Sequence, residues 1–222
     1  MTTEAKKKPS ETLKIPVYNR DGVKTGEYAL DSALLGGVVR RKLLKEAVLM
    51  YEANQRVGTH FALTRSEAAG SGKKVYAQKH TGRARMGHRQ TNKRVGGGVM
   101  FAPKPRDYSY SINKRGRREA LKSALLAKIQ DHELCCVDSF GLDKPKTQVI
   151  AKFLKKVGIS RSALLGTKVF DELVFKSARN ISNMQVRPVA EFNAYEVIRQ
   201  HNVVLMRDAL DALKEKFSHE IN

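Results

Sequence analysis

Tryptophan is absent from this 222-residue chain, and cysteine occurs only twice, at the adjacent positions Cys135 and Cys136. Neighbouring cysteines rarely bridge, and one pair without histidines at ligand spacing makes no zinc site. Both are expected to be small core residues of a protein kept in a reducing cytoplasm. His60, His80, His88, His132, His201 and His219 are scattered, with no His-x-x-His or His-Glu-x-x-His pair, so no metal is expected. No run of about 18 apolar residues is present, which excludes a spanning helix. The N-terminal MTTEAKKKPSET has no apolar stretch of a signal peptide and reads as a disordered arm over residues 1–12. Acid is scarce relative to base: 22 Asp and Glu stand against 42 Lys and Arg, a formal charge of +20 and a pI near 10.1. Such a chain needs a polyanionic partner, nucleic acid before an anionic membrane surface. No helical pattern joins a basic face to a bulky apolar one, so no membrane is expected.

What is present in excess is concentrated. Residues 65–118 hold 15 of the Lys and Arg, only two acids (Glu67 and Asp107) and eight of the 16 glycines. Up to about Ser109 this stretch shows neither helical nor strand periodicity, so it can bury little core of its own. A loop this long inside a compact domain is either disordered or functional.

Around it the chain is patterned. Leu13–Tyr18 and Thr25–Leu30 flank the turn Asn19-Arg20-Asp21-Gly22 and read as a hairpin. Arg40–Val57 is expected to be a helix with Leu44, Ala47, Val48 and Tyr51 inward and Gly58 as its C-cap. Asn113 is placed to cap a helix over Lys114–Asp131, with Leu121, Ala124, Leu125 and Ile129 on the apolar face. Leu134–Asp138 reads as a strand, Lys146–Val157 as a helix ended by Gly158, Lys168–Phe175 as a strand and Ser177–Ser182 as a helical turn. Met184–Val189 follows as a strand, Asn193–Gln200 as a helix, Asn202–Met206 as a strand and Arg207–Phe217 as a helix. This alternation implies an α/β fold: a single open, largely parallel sheet with flanking helices, doubly-wound-like, with one long extended basic loop. Residues 13–222 would form the globular domain, interrupted by the loop at about 62–106.

An α/β sheet invites a nucleotide site, and the sequence argues against one. Gly70-Ser71-Gly72-Lys73-Lys74 lacks the first glycine of a phosphate loop, where Glu67 stands, and has Lys74 where magnesium needs Ser or Thr. The dinucleotide fingerprint fails at Val75, its third glycine position. Asp138, Asp143 and Asp171 have no paired base or nucleophile and read as turn and cap residues. No cofactor and no enzyme are expected; the alternative is an α/β small-molecule enzyme carrying a basic nucleic-acid-binding tail.

The basic stretch itself is spaced rather than blocked. Lys79, Arg83, Arg85 and Arg89 alternate with small residues, and arginine suits bidentate phosphate contacts. Tyr76, Phe101, Tyr108 and Tyr110 interleave the cations as candidates for base stacking. Pro103-Lys104-Pro105-Arg106 stiffens the exit. Lys114, Arg115, Arg117 and Arg118 put further cations at a helix start, against the macrodipole, which makes sense if phosphates neutralise them. No recognition helix or finger for duplex DNA is seen, so a folded RNA is the expected partner.

The run Gln78–Gly87 (QKHTGRARMG), then Gly96-Gly97-Gly98-Val99, then Pro103–Tyr110 (PKPRDYSY), closely resembles the universal large-subunit ribosomal protein L-four family of bacterial type. Arg117–Leu125 and Ser177-Ala178-Arg179-Asn180 match it as well. The family pattern usually has Gly where this chain has His80. The resemblance implies a structural constituent of the large subunit that binds its rRNA early in assembly. It also implies a loop tip at Lys79, His80, Thr81, Gly82, Arg83, Ala84 and Arg85 lining the peptide exit tunnel. Lys73, Lys74, Arg89, Lys93, Arg94, Lys104 and Arg106 would then be stem contacts to phosphate. The implied partners are large-subunit rRNA, neighbouring large-subunit ribosomal proteins and the nascent peptide, with no homo-oligomer.

Overall fold

The computed structural model describes residues 12–219. The expected arm lies outside these residues up to position 11, and the first strand begins at Thr12. By internal contacts the described residues form two compact units: one of residues 12–51 and 111–219, the other Glu52–Tyr110.

The first unit is built on one six-stranded sheet in the order β2-β1-β3-β6-β4-β5. β1 (Thr12–Tyr18) and β2 (Lys24–Asp31) pair antiparallel, closed by a turn in which Gly22 takes φ +75°. The remaining pairings are parallel: β1 with β3 (Leu134–Val137), β3 with β6 (Asn202–Met206), β6 with β4 (Ala163–Thr167), and β4 with β5 (Met184–Pro188).

Side chains alternate strictly between two cores, as a pleated strand requires. Leu134, Cys136, Leu164, Val203 and Leu205 point to one face. There they meet α2 (Lys114–Gln130) through Leu121, Leu125 and Ile129, and α6 (Arg207–His219) through Leu210, Leu213 and Phe217. Ala47 of α1 (Arg41–Gln55) and Val197 of α5 (Ala194–Arg199) join the same cluster. Cys135, Val137, Leu165 and Val204 point the other way, onto Ile150, Phe153 and Leu154 of α3 (Thr147–Val157) and Val174 of α4 (Glu172–Ala178). Burial on both faces is the condition of a parallel sheet. The two cysteines therefore belong to opposite cores, both free, and burial pushes each thiol up to about 12.

Local signals place the helix ends. Asn113 Oδ1 accepts from Gly116 N at 2.7 Å to start α2, and Gly158, at φ +83°, ends α3 by donating to Leu154 O and Lys155 O. The strand expected at Lys168–Phe175 is instead a loop running into α4. Asp171 Oδ1 accepts from Leu173 N at 2.9 Å and Val174 N at 3.3 Å, and the acid Glu172 follows in the first turn. The strand is Ala163–Thr167, buried at all five residues and so without the alternation that marks a half-exposed strand. The helical turn expected at Ser177–Ser182 is correspondingly the end of α4 and the turn after it. Ser177 is fully buried: its Oγ donates to Leu173 O at 2.6 Å and accepts from Lys146 N at 3.0 Å, tying α4 to the start of α3.

Candidate nucleic-acid interface

The second unit holds no helix of its own beyond the last turn of α1 and no regular strand, yet its backbone is paired along its length. Tyr110 N donates to Asn54 Oδ1 at 3.0 Å and Arg106 N to Gly58 O at 3.3 Å. Further along, Ala62 N donates to Pro103 O at 3.0 Å and Val99 N to Leu63 O at 2.9 Å. Val75 N then donates to Gly87 O at 3.1 Å beside an isolated antiparallel bridge between Lys74 and His88. The Tyr76 hydroxyl donates to Ala84 O across the end. The stretch is thus an irregular two-legged hairpin with residues 77–83 beyond its last cross-link. Excess length in the return leg is taken up by turns at Thr91, Arg94 and Gly97.

Gly58 is needed here for close approach. It stands three residues past the end of α1, not at its cap, with φ +70°, and a Cβ would lie 2.2 Å from Arg106 O. Gly98 likewise lets the return leg pass against Thr64 and Arg65, where a Cβ would fall 2.3 Å from Arg65 N. The glycines of this stretch are in part what permits two backbones to run side by side.

Side chains reinforce the pairing. Gln90 Nε2 donates to Ala68 O at 2.5 Å and Gly70 O at 2.8 Å. The Arg56 and Arg106 guanidinium groups both lie over the Tyr108 ring, at 4.0 and 4.4 Å from its centroid. Arg56 and Gln90 were missed in the sequence because nothing in a local pattern marks a side chain that works across a hairpin.

Both acids of the stretch are spent internally. Glu67 accepts from Thr64 N at 3.0 Å and from Lys104, and the hydrogen bond from Lys104 first, then that from Thr64, brings its carboxyl down to about 2. Asp107 accepts from Ser109 N and Oγ, which lowers its carboxyl as well.

The cations divide into two groups. Lys104 is engaged within the hairpin: its ammonium bonds Glu67 and Ala62 O and sits 4.4 Å from the centre of the Phe61 ring. Arg106 is stacked on Tyr108, and Lys74 bonds Gln78. Lys73, Lys79, Arg83, Arg85, Arg89 and Lys93 are exposed and have no side-chain partner among the described residues. Arg94 is half-buried, and its Nη1, like His88 Nδ1, is buried without a hydrogen-bond partner among those residues.

The four aromatic candidates also differ. Phe101 is 89% exposed, whereas the rings of Tyr108 and Tyr76 are half-buried, one under guanidinium groups and the other anchored to Ala84. Tyr110 is 46% exposed. At the apex, His80 has φ +64°, a left-handed conformation that favours glycine. In the first unit Lys114, Arg115, Arg117 and Arg118 are exposed on the first turns of α2, whose N-terminal turn carries no acid. Among the described residues no group of three or more His, Cys, Asp or Glu could hold a metal ion, and no helix is long and apolar enough to cross a membrane.

The chain is similar over most of its length to proteins of one family. The model of the ribosomal protein L4/L1 family matches residues 28–216. A large ribosomal subunit protein uL4 of Carboxydothermus hydrogenoformans is 42% identical over 204 residues, covering 92% of this chain and 99% of that protein. The uL4 of Rhodopirellula baltica is 39% identical over 202 residues, covering 90% of this chain and 91% of its own. That of Pelotomaculum thermopropionicum is 42% identical over 204 residues, covering 92% and 98%.

Proposed function

The chain belongs to the ribosomal protein L4/L1 family, and from that premise we propose that it binds large-subunit rRNA through its hairpin and supports early assembly of the subunit. Its family makes it a structural, non-enzymatic component of the large ribosomal subunit in translation. That removes the alternative of a small-molecule enzyme with a basic tail.

The observation that carries the RNA reading is the separation of charge in the second unit. There Glu67 and Asp107 are both consumed by internal hydrogen bonds, while six exposed cations between positions 73 and 93 have no protein partner among the described residues. Like charges held on one narrow hairpin repel, and a polyphosphate backbone is the partner that removes the repulsion. On this reading Lys73, Lys79, Arg83, Arg85, Arg89 and Lys93 contact phosphate directly. Lys104 and Arg106 serve first to hold the legs together, and Phe101 is the best-exposed stacking ring. Residues 79–85 form the tip that lines the peptide exit tunnel, beside neighbouring ribosomal proteins and the passing nascent peptide. The particle is cytoplasmic, and the protein enters it as a single copy.

Binding of the full chain to large-subunit rRNA across a salt series tests this. Each neutralised phosphate contributes a log–log slope of about −0.7 to −0.9. A steep slope that flattens when residues 62–106 are deleted is the expected result. Salt-independent binding, or a slope unchanged by the deletion, would overturn it.

A further inference from the structure

A pocket of about 330 Å³ opens in the first unit where α2, α6 and the end of α1 meet the segment before α5. The volume lies in the range that small ligands occupy. Its rim carries Lys114, Arg117, Arg118 and Lys216, with no carboxylate among the lining residues. Lys114, Arg117 and Lys216 are exposed and have no side-chain partner among the described residues. The floor is apolar, made by the buried Leu121, Phe192 and Phe217. One wall is Tyr51, half-buried and stacked on Tyr195 at 5.8 Å between centroids and 24° between planes, and Tyr195 itself does not line the pocket. The Tyr51 ring is therefore backed by a second ring and fixed in orientation.

A ligand that satisfies these walls must be anionic at one end and flat and apolar at the other. An acidic peptide would supply the charge and leave the aromatic wall unused; a fatty acyl chain would do the reverse. A nucleotide supplies both, since every base has a face to stack and a phosphate to neutralise. The geometry points to a pocket for one unstacked nucleotide of the bound RNA, its base against Tyr51 and its phosphate among Lys114, Arg117 and Lys216. This rests on the RNA-binding reading above and adds a second anchor in a different unit of the protein. A hairpin without regular structure loses conformational freedom on binding; a preformed pocket with a fixed ring loses little. The pocket therefore adds an anchor whose own ordering cost is small.

The test is photo-crosslinking of the full-length protein to large-subunit rRNA containing 4-thiouridine, with the crosslinked residues located by mass spectrometry. The expected result is a crosslink at Tyr51 in the tryptic peptide spanning residues 46–56, alongside crosslinks in the hairpin. Tyr51→Ala should weaken RNA binding about five- to a hundred-fold, the range of one lost base–aromatic stack. Tyr51→Phe, which keeps the ring, should bind as the unaltered protein does. Crosslinks confined to the hairpin, with RNA still bound, would overturn the pocket and leave the RNA reading intact. Failure of the unaltered protein to retain the RNA at all would overturn that reading instead. Competition with millimolar AMP separates the two sources of a nucleotide: loss of the Tyr51 crosslink while RNA stays bound would assign the pocket to a free nucleotide and overturn its place in RNA binding.

Discussion

Glu67 and Lys104 form an ion pair across the two legs of the hairpin, and the same carboxylate caps the turn at Thr64. Because the folded carboxyl sits at about 2, below its ordinary value of 4.5, its contribution is fully present above pH 4.5. It is lost as pH falls through about 2. Glu67→Gln should remove the pair at neutral pH and speed hydrogen exchange at the Ala62 and Val99 amides, which bond across the legs nearby. The main thermal transition, which reports the packed sheet, should not move. The pair is exposed, so rising salt should weaken it in the unaltered protein as well.

Gly58→Ala tests the close approach at the base of the hairpin. The substitution places a methyl group against Arg106 O in a backbone conformation unfavourable to alanine. A local destabilisation of about 1–3 kcal/mol is expected. It should be read as faster exchange of the Arg106 amide, with the Gly58 carbonyl displaced from it.

Charge removal should separate the two classes of cation. Arg83→Ala or Arg89→Ala should lower the magnitude of the salt slope of rRNA binding by about 0.7–0.9 each, one phosphate contact apiece. Lys104→Ala should act instead on hairpin closure, matching the exchange pattern of Glu67→Gln, since its ammonium is already committed to Glu67 and Ala62.

At the apex, His80→Gly should be tolerated. It relieves the left-handed strain of about 1–2 kcal/mol and gives back part of that through the greater freedom of glycine in the unfolded chain. His80→Val, β-branched at the same φ, should disturb the apex and weaken rRNA binding.

In the sheet, Leu205→Ala should cost about 2–5 kcal/mol, because Leu205 is 1% exposed in the core on the α2 side. The fall is measurable as a lower midpoint of thermal unfolding. Cys135 and Cys136, with thiols near 12, should resist a thiol reagent at pH 8 until the protein unfolds.

Much of the first unit was legible in the chain. Asn113, Gly158 and the turn at Gly22 are local devices, and each acts where its residue type predicts. Strand β4 escaped notice because a segment buried on both sides has no period, whereas the neighbouring Val169 and Phe170, 71% and 59% exposed, resembled part of a strand. The hairpin's pairing was hidden for a different reason. Bonds such as Ala62 to Pro103 join main-chain atoms far apart in sequence and leave no trace in side-chain alternation. The same distance hid the commitment of Lys104 to Glu67, so the sequence showed a run of equivalent cations where the fold makes two kinds.

The parallel pairing of Val17 with Cys136 has a consequence in time. About 120 residues separate these partners, so at roughly 5–20 residues per second a ribosome needs some 6–24 seconds to deliver the second after the first. For that interval the inner edge of β1 stands unpaired, and the whole cationic hairpin is made before the strand that seats β1 exists. The stretch after Ser111 supplies β3, β4, β5 and β6 with short connections. Local contacts form fastest, so that half can assemble first and receive the β1–β2 pair last. The newborn chain is thus a strong polycation before it is a folded domain, and early capture by RNA would shield it during that wait.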